Sequence, residues 1–169
     1  MTLIVTTDRK AGAMSDAAVN SGRIENGEHV FPTRVYYDDT DAAGMVYYAN
    51  FLRMAERART EMLRLMGANH ADAARTDGIA LVVRRCEVDY LHPARLDDAL
   101  DIHSRLLKVG GASMNMEQII RRAGKDLVRL SLRIACVSNA GRAARFPVWM
   151  QSAFQEFLTE NEATNMRQG

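Results

Sequence analysis

The second half of the chain alternates. From Ile79 onward, Leu81 and Val83 stand against Val82 and Arg84, and Leu100, Ile102 and Leu106 against Asp101, His103 and Arg105. Met114, Met116 and Ile120 follow against Asn115, Glu117 and Arg121, then Val128, Leu130, Leu132, Ile134 and Cys136 against Arg129, Ser131 and Arg133. A period of two puts each set on its own face of a pleated strand, so the pattern predicts four long strands, each with one apolar face. Breaks fall at His92-Pro93, Gly110-Gly111 and Gly124-Lys125. The last two are short enough to be hairpins, and the sheet is expected to be largely antiparallel, in meander-like order.

Between Asn50 and Met66 the period lengthens. Phe51, Met54, Ala55, Ala58, Met62, Leu65 and Met66 recur every three or four positions, while Arg53, Arg57, Glu61 and Arg64 share another face, which predicts one long amphipathic helix. Asn50 is placed to cap its start and Gly67 to end it in a left-handed conformation. Ahead of the helix, Val30-Phe31 to Tyr37 suits a strand that ends at the acidic run Asp38-Asp39-Thr40-Asp41. After Pro147, the residues Trp149, Met150, Ala153, Phe154, Phe157 and Leu158 have a helical period and predict a closing helix. Residues 1–28 show no sustained period and are expected to be a flexible N-terminal extension, with a domain over 29–160 and a flexible C-terminal tail over 161–169.

One strand, one long helix and four strands make an α+β arrangement in which the apolar face of a sheet wraps a helix. One helix cannot cover five strands, so further burial through self-association, with the sheet continued between subunits as one route, is expected. The 169 residues are 47% hydrophobic, enough for a single core, and their formal net charge of +1 supplies no field that would draw the chain to nucleic acid. Cys86 and Cys136 each sit in an apolar, strand-like run, which favours reduced core thiols over a disulfide scaffold or a metal cluster. The start, Met1-Thr2-Leu3-Ile4-Val5, is apolar only briefly, and no stretch reaches the roughly 20 apolar residues of a membrane span. A cytoplasmic location, with no transmembrane segment, is the expectation.

The chemistry concentrates between Arg34 and Glu61, in Arg-Val-Tyr-Tyr-Asp-Asp-Thr-Asp41-Ala-Ala-Gly44-Met-Val-Tyr-Tyr48-Ala-Asn. Together with Val82-Val83-Arg84-Arg85 and Tyr90-Leu-His-Pro-Ala-Arg-Leu-Asp-Asp98, this stretch resembles the hotdog thioesterases of the 4-hydroxybenzoyl-CoA thioesterase family, especially the YbgC-like subgroup linked to the Tol-Pal system. The resemblance runs from about residue 33 to about residue 138. It implies a hotdog fold, an antiparallel five-stranded sheet wrapped around one long central helix. It also implies hydrolysis of an acyl-CoA or acyl-carrier-protein thioester with no metal or other cofactor, and a homodimer or homotetramer with the acyl-thioester cleft at the subunit interface.

By the same resemblance, Asp41 is the catalytic carboxylate and the backbone N–H of Tyr48 polarises the carbonyl. Gly44, Val46 and Tyr47 are the candidate substrate-binding residues beside them. A carboxylate just before a helix lies close to outward-pointing N–H groups, which suits an oxyanion. Whether Asp41 attacks the carbonyl or activates water stays open at this level. Many members of the subgroup carry His where Tyr48 stands, and Tyr has no comparable basicity near neutral pH. Gly44 either permits a tight turn that lets the acyl chain approach the backbone or is a turn glycine alone.

Other readings of the same residues are less favoured. Asp38, Asp39 and Asp41 are three carboxylates within four positions, a composition suited to a hard cation, but a strand end sends neighbours to opposite sides and no His completes the set. His70, His92 and His103 are scattered singles. The Met residues fit core filling, and Arg84, Arg85, Arg121, Arg122 and Arg133 fit solvated strand faces, any of which could instead meet CoA phosphates. The competing function is a non-catalytic acyl-binding or Tol-Pal-associated interaction module of the same fold.

Overall fold

A computed structural model describes residues 20–67 and 73–168, with side chains through Glu160. His70 and the first nineteen residues lie outside the described residues. In chain order the elements are β1 (Arg23–Glu25), β2 (Glu28–Arg34), α1 (Tyr48–Leu65), β3 (Ile79–Tyr90), β4 (Ala99–Val109), β5 (Ser113–Arg122), β6 (Lys125–Ser138) and α2 (Val148–Gln168). The strands form one antiparallel sheet of six in the order β1-β2-β4-β5-β6-β3.

The alternation read from sequence is realised on one face. Leu100, Ile102, Leu106, Met114, Met116, Ile120, Leu130, Leu132 and Ile134 are all buried and point toward α1, whose Phe51, Met54, Ala55, Ala58 and Met62 meet them. Ala55 and Ala58 are wholly buried, so the helix comes close to the sheet where its side chains are smallest. Gln118 is the polar exception on this face. It is wholly buried in β5, and its Nε2 donates to the Ala55 carbonyl oxygen at 3.0 Å and to Ser104 Oγ at 2.8 Å. With its donors so committed, its Oε1 is left to accept from Arg59.

Several expectations are corrected. The sheet has six strands, because Asn26 and Gly27 adopt left-handed backbones (φ 52° and 73°) and close a hairpin that pairs Arg23–Glu25 with Glu28–Val30. A two-residue turn of that hand matches the twist of the flanking strands, so the segment expected as an extension up to residue 28 supplies an edge strand. The strands after the helix are not a simple meander: β3 pairs with β6 on the far edge, and only β4-β5-β6 follow one another. The connection after Tyr90, too long for a hairpin, carries the chain back across to β4. α2 runs past the expected boundary at residue 160, as far as Gln168. Cys86, expected in the core, is exposed on the edge strand, whereas Cys136 is buried; both thiols are free. Glu61 is buried among expected surface charges, accepting from Ser21 Oγ at 2.7 Å and paired with Arg64. Among the described residues no helix is long and apolar enough to cross a membrane.

Candidate active site

The acidic segment does not continue the strand. β2 ends at Arg34, and Tyr37–Asp39 form one turn of 3₁₀ helix. Asp39 is consumed by structure: it is buried, its Oδ2 accepts from the Tyr36 N–H at 2.9 Å, and its carbonyl accepts from the Tyr47 N–H and from Asn50 Nδ2. That last bond corrects the expected cap. Helix α1 begins two residues earlier, at Tyr48, behind Tyr47 with no side-chain cap, and Asn50 lies buried inside it, tying the helix to the acidic turn.

Asp38 and Asp41 are exposed, and of the two Asp41 is the one held in a turn just ahead of the helix. Its N–H donates to the Met45 carbonyl, and its own carbonyl accepts from the Gly44 N–H, both at 2.9 Å, which closes a four-residue turn. Its Oδ1 accepts from the Ala43 N–H at 2.8 Å, an Asx turn that holds the carboxylate in place. Among the described residues Oδ2 meets no protein donor. Gly44 sits at φ +69°, and a Cβ built on it would meet nothing within 4 Å. Glycine is needed there for its backbone angle, since the space is open.

The loop rests on the crossover between β3 and β4. The Val46 N–H donates to the Ala94 carbonyl at 2.9 Å, and Met45 bridges to Arg95. Val46 therefore turns its side chain into the core, while Tyr47 and Tyr48 stay exposed. The Tyr48 N–H is the first of the helix and takes no acceptor among the described residues, as expected for an uncapped start. No acidic side chain occupies the first turn, so the positive end of the helix dipole is not neutralised from within.

An aromatic group that the sequence does not announce surrounds this end. The rings of Tyr47 and Tyr48 lie 4.6 Å apart, Tyr90 meets Tyr48 edge-on at 6.2 Å, and Phe51 is 6.1 Å from Tyr90. Tyr90 Oη donates to the Tyr48 carbonyl at 3.3 Å. The Tyr47 phenol is raised above its ordinary pKa, chiefly by its hydrogen bond with Tyr48. The Tyr90 phenol is raised by burial first and then by Cys86 and Tyr48. Position in the strand pattern marks Tyr90 only as the last residue of β3, and nothing local shows its approach to Tyr48.

Further along α1, between the helix and β3, β5 and β6, lies a cavity of about 120 Å³. Its walls are apolar, including Met62, Leu81, Val83, Met114 and Met116, and its two charged linings are Glu56 and Arg59. Burial pulls the Arg59 guanidinium below its ordinary pKa, opposed by Glu56 and Cys86. Periodicity gives no sign of Arg59's special place, since one arginine among several on a polar helix reads like the others.

Comparison with known proteins follows the same lines. Residues 35–154 match the thioesterase-like superfamily. The acyl-CoA thioesterase YbgC of Haemophilus influenzae is 37% identical over 132 residues, covering 78% of this chain and 96% of that protein. The acyl-CoA thioester hydrolase YbgC of Escherichia coli O6:H1 is 42% identical over 108 residues, covering 63% and 80%. Among solved structures, a probable thioesterase from Bartonella henselae superposes with a TM-score of 0.68 at 37% identity, covering 71% of this chain and 99% of that one. A 1,4-dihydroxy-2-naphthoyl-CoA thioesterase from Synechocystis shares the fold, with a TM-score of 0.71 at 23% identity over 76% and 96% of the two chains.

Proposed function

Because the chain belongs to the thioesterase-like superfamily, we propose that it hydrolyses acyl-CoA thioesters, or the equivalent esters of an acyl-carrier protein, with Asp41 as its catalytic carboxylate. One observation carries this reading: Asp41 is exposed and pinned through Oδ1, and it stands just ahead of a helix start, with neither its Oδ2 nor the first helix N–H engaged among the described residues. A carboxylate oxygen and an N–H donor are the two groups that thioester hydrolysis asks for.

With the thioester carbonyl oxygen on the Tyr48 N–H, Asp41 takes a proton from water as the water oxygen adds to the carbonyl carbon. The C–S bond then breaks and the thiolate takes up that proton, leaving acid and thiol. Attack by Oδ2 itself would give a mixed anhydride and thiolate, and water would then cleave the anhydride to the same products. In either route the N–H meets negative charge that grows on the oxygen, so it stabilises the transition state more than the ground state. Gly44 shapes the turn, and Tyr47, with its ring against Tyr48, offers an exposed aromatic surface to the thioester arm. Val46, also a candidate, serves from within the core.

The working unit is a homodimer, alone or paired into a tetramer. Two features support it. β3 is a twelve-residue edge strand with exposed Val82 and Val83, an edge that is commonly paired or covered. In addition, Glu56 follows Tyr48 by eight residues, roughly 12 Å along the helix, so a short acyl group lodged in the cavity would lie beyond the Tyr48 N–H of its own protomer. A partner copy whose helix runs the other way brings a second Asp41 to that cavity.

Thiol release from short, long and aromatic acyl-CoAs and acyl-carrier-protein esters, wild type against Asp41→Asn, tests the reading. Turnover by the wild type that falls about 10²- to 10⁴-fold in the variant is expected. No wild-type turnover on any ester would overturn it in favour of the non-catalytic binding module.

A further inference from the structure

Arg59 is a cation whose surroundings do not account for it. It is half-buried on the flank of α1 that faces β3, and among the described residues no carboxylate comes within ion-pair distance of it. Among the described residues its hydrogen bond is from Nη1 to Gln118 Oε1, at 2.8 Å. Gln118 cannot turn away, because its amide nitrogen is fixed by Ala55 and Ser104. The guanidinium is thus held in position by a wholly buried amide, with four of its five N–H groups meeting no acceptor among the described residues. Holding a partly desolvated cation beside an apolar cavity with no direct ion pair among the described residues is unfavourable for the free protein.

Glu56 lines the same cavity but is differently placed. It is exposed, and its Oε1 accepts from Thr60 Oγ1 on the outside of the helix, so water screens its charge more than that of Arg59. The cavity, about 120 Å³, is somewhat smaller than the 150 Å³ void known to admit benzene. A group of about four to six carbons fills it. A planar guanidinium with free N–H pairs is matched best by a carboxylate, which it can grip through two parallel bonds.

We propose that Arg59 is a specificity-determining residue that selects short acyl groups ending in a carboxylate, so that half-thioesters of four- to six-carbon dicarboxylic acids are preferred substrates. This rests on the thioesterase reading above and names its substrate class. The methylenes lie against Met62, Leu81, Val83 and Met116, and the terminal carboxylate meets Arg59. The thioester carbonyl points out of the cavity, toward the Asp41 that a partner copy supplies.

The test compares kcat/KM for glutaryl-CoA and pentanoyl-CoA, two five-carbon acyl groups that differ in a terminal carboxylate, using full-length wild type, Arg59→Met and Arg59→Lys. Wild type is expected to prefer glutaryl-CoA. The glutaryl-to-pentanoyl ratio should fall about 10- to 100-fold in Arg59→Met, as for loss of a charge-assisted hydrogen bond, and by less in Arg59→Lys, which keeps the charge but loses the fork. A wild-type preference for pentanoyl-CoA would overturn the proposal without needing either variant to fold. So would a ratio that stays constant while both rates fall together, the signature of a merely structural arginine. Hydrolysis of pentanoyl-CoA with poor use of glutaryl-CoA would leave the thioesterase reading standing and refute this inference alone. Failure on every thioester would refute both.

Discussion

Gln118 holds the helix to the sheet from inside the core, and replacing it with Met tests how much that polar link contributes. Met nearly conserves volume, so the substitution leaves little cavity and the loss is mainly of hydrogen bonds. Three are lost: to the Ala55 carbonyl, to Ser104 Oγ and from Arg59. The Ala55 carbonyl keeps its place in the helix ladder and should cost little. Ser104 is wholly buried, and its stranded hydroxyl costs about 1–3 kcal/mol. Arg59 can regain water, so its loss counts toward the low end of the range for a charged partner, about 1 kcal/mol or slightly more. Gln118→Met should therefore destabilise by about 2–4 kcal/mol, read from urea unfolding at one fixed protein concentration, because an oligomer's stability depends on concentration. Ser104→Ala alone should cost about 1 kcal/mol, since Gln118 keeps Ala55 and Arg59. Adding Ser104→Ala to Gln118→Met removes the stranded hydroxyl and so returns its cost, and the double variant should fall short of the sum by about 2 kcal/mol or more. A Gln118→Met cost below about 1 kcal/mol, or strictly additive variants, would refute the view that these groups form one buried network.

Asp39 and Asp41 should separate stability from turnover. Asp39→Ala strands the Tyr36 N–H and should cost about 1–3 kcal/mol in chemical denaturation, whereas Asp41→Asn keeps an oxygen for the Ala43 N–H and should change stability by no more than about 0.5 kcal/mol while losing activity. Gly44→Ala should cost about 1–2 kcal/mol from backbone strain alone, and Gly22→Ala should cost more, because its Cβ would come within 2.4 Å of the Val30 carbonyl oxygen; urea midpoints rank the two. Burial holds the His29 imidazole below its ordinary value of 6.5, against the Ser21 carbonyl and Glu61, which both favour its charged form. The unfolded chain therefore takes up the proton first as pH falls through 6.5, and stability should decline from there until the lowered folded value is reached. Unfolding midpoints between pH 7.5 and 5 should show that slope in wild type and a weaker one in His29→Gln.

The periodic parts of the sequence translate directly into structure because burial on one face dictates them. The alternation of β4, β5 and β6 and the three-to-four spacing of α1 are both satisfied by the same core. What sequence reading misjudged depends on partners distant in the chain. Asn50 beside an apolar run looks like a cap, but the buried carbonyl of Asp39 gives it a better use inside the helix. Glu61 looks like a surface charge until Ser21 arrives from the N-terminal segment. The Asn26-Gly27 dipeptide is the strongest short-range signal for a hairpin, but the polar residues around it lack the alternation that marks a strand, so the segment reads as an extension. At the site, the place of Asp41 between strand and helix could be read directly. That Asp39 is spent on structure follows from its bonds to Tyr36, Tyr47 and Asn50, whereas the approach of Tyr90 to Tyr48 and the cavity beside Arg59 depend on the crossing of β3 to the far edge, which no local pattern encodes.

That crossing also sets an order for assembly. β2 must wait for β4, and β3 for β6, so the β3 edge of the sheet cannot close until the last strand exists. α1 leaves the ribosome about 70 residues before the end of β6, an interval of roughly 4–15 s at ordinary rates of synthesis. Throughout it, the floor beneath the Phe51, Met54 and Met62 face is incomplete. The nascent chain thus carries a sticky helix for seconds, on the segment that later presents the Tyr48 N–H.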